Sequence, residues 1–137
     1  MKKIVFIITL LASLAACSSK KGNTSTGYTV IKQEAYGGIE EETNLLINSQ
    51  NELVSLFEKI NVAELPKVDF KEQSVVAVFM GQKRTGGYSI SITDVNVSGN
   101  TAEITVAKTS PTGMVTMALT SPYCIAVIPK VENIKVK

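Results

Sequence analysis

The sequence predicts an α+β fold: an antiparallel sheet of about 6–8 strands with one main helix, at about residues 50–61. Three observations carry this. Leu53, Val54, Leu56, Phe57 and Ile60 recur at helical spacing and form one apolar stripe. Tyr88, Ile90 and Ile92, then Ala102, Ile104 and Val106, alternate with polar residues as half-buried strands do. Residues 75–80, VVAVFM, are apolar on both faces, the pattern of a central strand covered twice. The competing architecture is a β-sandwich with one helix in a connection.

The elements follow in order. Residues 28–36, YTVIKQEAY, read as the first strand, and Gly37-Gly38 as a turn. A second strand falls within residues 42–48. Ser49-Gln50-Asn51-Glu52 has the form of a capping box, in which Ser49 accepts from the Glu52 N–H and Glu52 reaches back. The helix follows, and Pro66 lies beyond its end. Residues 75–80 form the central strand, 81–87 a turn region, and a strand starts at Tyr88. Ser98-Gly99-Asn100 turns the chain into the partner strand of a hairpin. A long loop with Pro111 and Gly113 comes next, with a short strand expected at 115–119. Thr120-Ser121-Pro122 breaks it. Residues 123–128 resume an apolar strand, Pro129 ends it, and 134–136 form a short final strand.

The first residues are read as targeting, not fold. Lys2 and Lys3 precede a short apolar run at 4–14, too short for a spanning helix of about 20 residues. Leu14-Ala15-Ala16-Cys17 resembles the bacterial lipoprotein box. That resemblance implies cleavage before Cys17 and lipid on its sulfur and new amino terminus. Ser18 lacks the aspartate that, in such proteins, favours inner-membrane retention. The expectation is therefore an outer-membrane lipoprotein facing the periplasm. Residues 1–16 are the signal peptide, 17–27 a lipid-anchored tether (SSKKGNTST at its centre), and 28–137 a single domain.

Charge and composition narrow the function. Of the 14 Lys and Arg, Lys2 and Lys3 lie in the signal, leaving 12 against 12 Asp and Glu. A neutral chain has no electrostatic case for nucleic acid, nor for a membrane contact beyond the lipid on Cys17. There is no histidine, which removes the commonest general base and imidazole ligand. Cys17 and Cys124 are the two cysteines, and Cys124 sits in an apolar strand as a small hydrophobe. Glu40-Glu41-Glu42 reads as solvated edge charge. No cofactor, no metal and no catalytic residue is expected, and the chain is read as non-enzymatic.

Two loops remain. In GQKRTGGY, glycine-rich chain feeds a strand rather than a helix and no GK[ST] follows, so it is not a phosphate cradle. SPTGMVTMALTSPY, residues 110–123, is the other. Both mix glycine or proline with hydroxyls and an aromatic. Glycine lets backbone approach a partner closely, and tyrosine supplies contact area at low entropic cost. Equally, the glycines serve positive φ, and Tyr88 and Tyr123 serve the core. The candidate partner-binding residues are Lys83, Arg84, Thr85, Gly86, Gly87, Tyr88, Pro111, Thr120, Ser121, Pro122 and Tyr123.

The same loops carry a family resemblance. VVAVFMGQKRTGGYSISI, followed by PTGMVTMALTSPYCIAVIPK, resembles the PrcB C-terminal domain family over about residues 75–130. The resemblance implies a lipoprotein that accompanies and stabilises a secreted or periplasmic protease, with no catalysis of its own. Thr85-Gly86-Gly87-Tyr88 is also similar to the TGY loop of chagasin-type protease inhibitors, though the tryptophan of that class is absent. A structural envelope lipoprotein is the third possibility. All three place a protein partner, or none, against these loops.

Overall fold

The computed structural model describes residues 27–137. The signal segment, Cys17 and residues 18–26 lie outside the described residues. Seven strands and one helix follow in the order β1 (Thr29–Glu34), β2 (Glu42–Ile47), α1 (Gln50–Lys59), β3 (Gln73–Met80), β4 (Ser89–Ser98), β5 (Thr101–Thr109), β6 (Tyr123–Pro129) and β7 (Asn133–Val136). The α+β class holds, with the strands divided between two sheets. One has the order β1-β6-β3-β2 and the other β4-β5-β7. Every pairing is antiparallel except β5 with β7, which is parallel.

Helix α1 begins where the sequence requires. Ser49 is extended, and its hydroxyl accepts from the Glu52 N–H at 3.3 Å. Glu52 returns the favour one residue further out, accepting from the Asn48 N–H at 2.9 Å. Leu53, Leu56, Phe57 and Ile60 are buried. Each such side chain contributes about 1.5–3 kcal/mol by leaving water, more than any propensity difference along so short a helix.

Strand β3 is central, between β6 and β2. Its alternate residues enter two different cores. Val75, Ala77 and Phe79 face the helix side with Leu53, Phe57, Tyr123 and Ile125. Val76, Val78 and Met80 face the second sheet with Ile90, Val95, Ile104 and Cys124. This double burial is the reason the run has no polar alternation.

The hairpin β4–β5 departs from simple alternation. Its register shifts between Ile92 and Asp94, so Thr93 is the extra residue. Ile90 and Ile92 precede the shift and Val95 follows it, and all three are buried. A bulge restores the inward face after a change of parity. The expected short strand at 115–119 is absent. Those residues run as loop, and the isolated bridge between Lys83 and Thr120 follows them.

At the far end of the sheet from the bridge, Ser74 is buried and hydrogen-bonded. Its hydroxyl accepts from the Val131 N–H at 3.1 Å and pairs with the Asn48 side-chain oxygen, while Asn48 Nδ2 donates to Val131 O at 3.1 Å. This joins β2, β3 and the turn after β6.

Candidate functional site

Strands β1, β3 and β6 end together. Phe79 lies opposite Tyr123, and Glu34 opposite Tyr123 on the other side. The chain leaving β3 (81–88) and the chain entering β6 (110–122) therefore emerge side by side, and they interlock. The Lys83 N–H donates to Thr120 O at 2.7 Å, and the Thr120 N–H to Lys83 O at 2.9 Å. Thr120 Oγ1 donates to Thr85 O at 2.8 Å. The Gly86 N–H donates to Thr116 O at 2.9 Å. A third segment joins: the Ser121 N–H donates to Ala35 O at 3.1 Å, and the Gly38 N–H to Ser121 O at 3.0 Å.

The two glycines of TGGY have local tasks. A Cβ on Gly86 would stand 2.3 Å from Thr116 Oγ1. Gly87 has φ +88°, and a Cβ there would stand 2.6 Å from the Pro111 Cβ. Both leave room for the neighbouring loop of their own chain. Gly87 also needs a backbone conformation that L residues rarely adopt.

The candidate residues sort by exposure. Thr120 and Tyr123 are 2% and 1% exposed, and Gly86 and Pro122 are also buried. Tyr123 stacks on Phe79 with centroids 5.6 Å apart. Burial pushes its hydroxyl pKa up, with Glu34 adding to the effect. These four residues can shape the loops but cannot lie flat on a partner. Lys83, Thr85, Tyr88, Pro111 and Ser121 are half-buried, and Arg84 and Gly87 are exposed. Lys83 Nζ sits 5.6 Å from the Tyr88 ring centroid, a cation–π contact worth about 0.5–1 kcal/mol at an open site.

Sequence reasoning missed the side chains that stand furthest out. Met114 is 103% exposed, Met117 85% and Leu119 61%. Their signal was present: apolar residues without strand or helix period, bounded by Pro111-Gly113 and Pro122. The expected strand at 115–119 absorbed them instead.

Around the loops, Glu42 pairs with Lys108, and that hydrogen bond, with the cation's charge, lowers the Glu42 pKa. Cys124 is fully buried, and desolvation raises its thiol pKa against a smaller opposing hydrogen bond at Ile92. Among the described residues no group of three or more His, Cys, Asp or Glu could hold a metal ion. Nor is any helix among them long and apolar enough to cross a membrane.

The class these features define is a small α+β domain that displays an interlocked loop pair at one end of its sheet. Residues 74–129 match the family model described as PrcB C-terminal. Over that segment the chain is similar to this family. The match runs from β3 through β6, so it contains both loops and leaves out β1, β2, α1 and β7. No curated protein and no solved structure matches the chain.

Proposed function

We propose that the chain is a non-enzymatic, lipid-anchored protein of the bacterial envelope that binds a protein partner through its interlocked loops. A secreted or periplasmic protease is the partner class that the family match favours. The observation that carries the reading is the reciprocal pairing of Lys83 with Thr120. It joins two motif-bearing loops into one hydrogen-bonded surface, and a preformed surface binds at lower entropic cost. Lys83, Arg84, Thr85, Gly87, Tyr88, Pro111 and Ser121 supply contacts. Gly86, Thr120, Pro122 and Tyr123 hold the loops in shape. Cys17 carries the lipid, and the outer membrane facing the periplasm is the location proposed.

The test has two arms. In cells fed an alkyne-tagged fatty acid, the wild-type chain takes up label and Cys17→Ser does not; label on both, or on neither, removes the anchor from the proposal. In the second arm, purified full-length protein in detergent is titrated against the host's envelope proteases. The expected result is binding to one of them, weakened by Lys83→Glu/Arg84→Glu. A complete absence of binding defeats the protease reading. The same titration separates accessory from inhibitor: a stabilised protease stays active longer on storage, whereas an inhibited one shows a lower initial rate.

A further inference from the structure

We infer that the tip of the 110–122 loop, Met114, Met117 and Leu119, is an anchor that enters an apolar cleft on a folded protein partner. This rests on the binding-module reading and adds the side chains that make contact and the chemistry of the surface they meet.

The tip is apolar and unsheltered, while its base is fixed. Met114 and Met117 are at 103% and 85% exposure, although Val115 between them is half-buried. Below them, Thr116 O accepts from Gly86, Pro111 packs on Gly87, and Thr120 is bridged to Lys83. Gly113 turns the chain at φ +86°. Loops longer than about a dozen residues without secondary structure are uncommon in compact domains, and are usually either functional or linker-like. Three water-facing apolar side chains on a braced base weaken solubility for no gain within the fold. Methionine is unbranched and polarisable, so it adapts to an irregular cleft.

Three occupants compete, and a folded protein is favoured. A membrane is disfavoured by the composition of the loop and by its distance from the start of the described chain. Strand β1 has Thr29 opposite Val127 and Glu34 opposite Tyr123, so it runs toward the loops. Its start lies about 17 Å from them, five strand steps away. The described chain therefore starts at the end of the domain away from the tip. The 110–122 loop also has neither Trp nor Phe, the residues that interfacial anchors favour. A second copy of the chain is distinguished from a different protein by the crosslinking below. Three such side chains bury a few hundred Å², well short of the roughly 800 Å² per partner of a stable interface. They suit a central anchor whose rim is completed by Arg84, Thr85 and Gly87.

The experiment uses the full chain expressed in its host, with a photo-crosslinking amino acid at position 117, 84 or 99. Position 99 is the hairpin turn at the opposite end. The expected result is a discrete protein adduct from 117 and not from 99, mapped by mass spectrometry to apolar residues lining a cleft of the captured protein. That protein, purified, should then bind Met114→Ser/Met117→Ser/Leu119→Ser at least about tenfold more weakly than wild type, with the urea midpoint unchanged. Adducts to lipid, to a second copy of the chain, or equally from 99 overturn the inference. So does unaltered affinity of the triple variant. Adducts from 84 without any from 117 overturn it but leave the binding-module reading standing; adducts from neither position remove both.

Discussion

Thr120 is tied to Thr85 by a side-chain hydrogen bond, Oγ1 to the backbone oxygen at 2.8 Å, although the two lie on different loops. Thr120 is 2% exposed, so this hydroxyl has no water to replace its partner. Thr120→Val keeps the shape and strands the Thr85 carbonyl. The expected cost is about 1–3 kcal/mol in urea unfolding, with Thr120→Ser nearer wild type. Amide exchange at Lys83 and Gly86 should quicken in the valine variant. An unchanged urea midpoint shows that the tie contributes nothing.

Gly87 and Gly99 both have positive φ, but only Gly87 has a neighbour in the way. Gly99→Ala measures the backbone strain alone, about 1 kcal/mol. Gly87→Ala adds the collision with Pro111 and should cost more than Gly99→Ala. Equal losses mean that Pro111 yields freely.

Tyr123 is a core residue before it is anything else. Tyr123→Ala should cost about 3–5 kcal/mol, because it opens a cavity beside Phe79. Tyr123→Phe keeps the ring and should cost far less. Reduced partner binding by Tyr123→Ala therefore reports on folding, and the phenylalanine variant is the fair test of contact. Wild-type stability in the alanine variant contradicts the packing described above.

Burial raises the Cys124 thiol pKa above its ordinary value of 9.0. The unfolded chain then ionises at lower pH than the folded one. Stability from this group is complete below the ordinary thiol pKa and declines as pH rises through the folded value. In a Cys17→Ser background, Cys124→Ala should remove part of the alkaline fall in urea midpoint. The native thiol should also resist iodoacetamide at neutral pH and react once unfolded. Rapid native alkylation contradicts its burial.

Among the methionines of the described residues, Met114 and Met117 are open to solvent and Met80 is 5% exposed. Mild peroxide should convert the first two to sulfoxides well before Met80, read by peptide mass spectrometry. Met80 thus serves as an internal control. Comparable oxidation of all three places the tip elsewhere than on the surface.

Much of this was legible in the residues. Ser49 and Glu52 announced the helix start because a cap is a local matter of side-chain reach. Val75 to Met80 announced a doubly covered strand because the absence of polar alternation has few other causes. The division into two sheets was legible only as the competing sandwich architecture: alternation tells which face is inward, not which sheet it faces. The parallel partnership of β7 with β5 joins segments far apart in sequence and leaves no local mark. Thr93 looked like an ordinary outward residue, since a bulge changes parity without a glycine to flag it. Tyr88 and Tyr123 looked alike beside their loops, yet Tyr88 is half-buried and Tyr123 wholly so. The meeting of the loops followed from two motifs in one order; the outward turn of Met114 and Met117 did not, because a short apolar run reads equally as strand.

Because Gly86 is cut to fit Thr116, and Gly87 to fit Pro111, neither loop can drift in evolution without the other. A relative that gains a side chain at position 86 must shrink or shift at 116, and pairs such as 86/116 and 87/111 should change in concert along a lineage. The same holds at the bench. Grafting TGGY alone onto a foreign scaffold would carry over a shape with nothing to lean on, so the smallest transplantable unit is both segments together, with the ends of β3 and β6 that hold them in register.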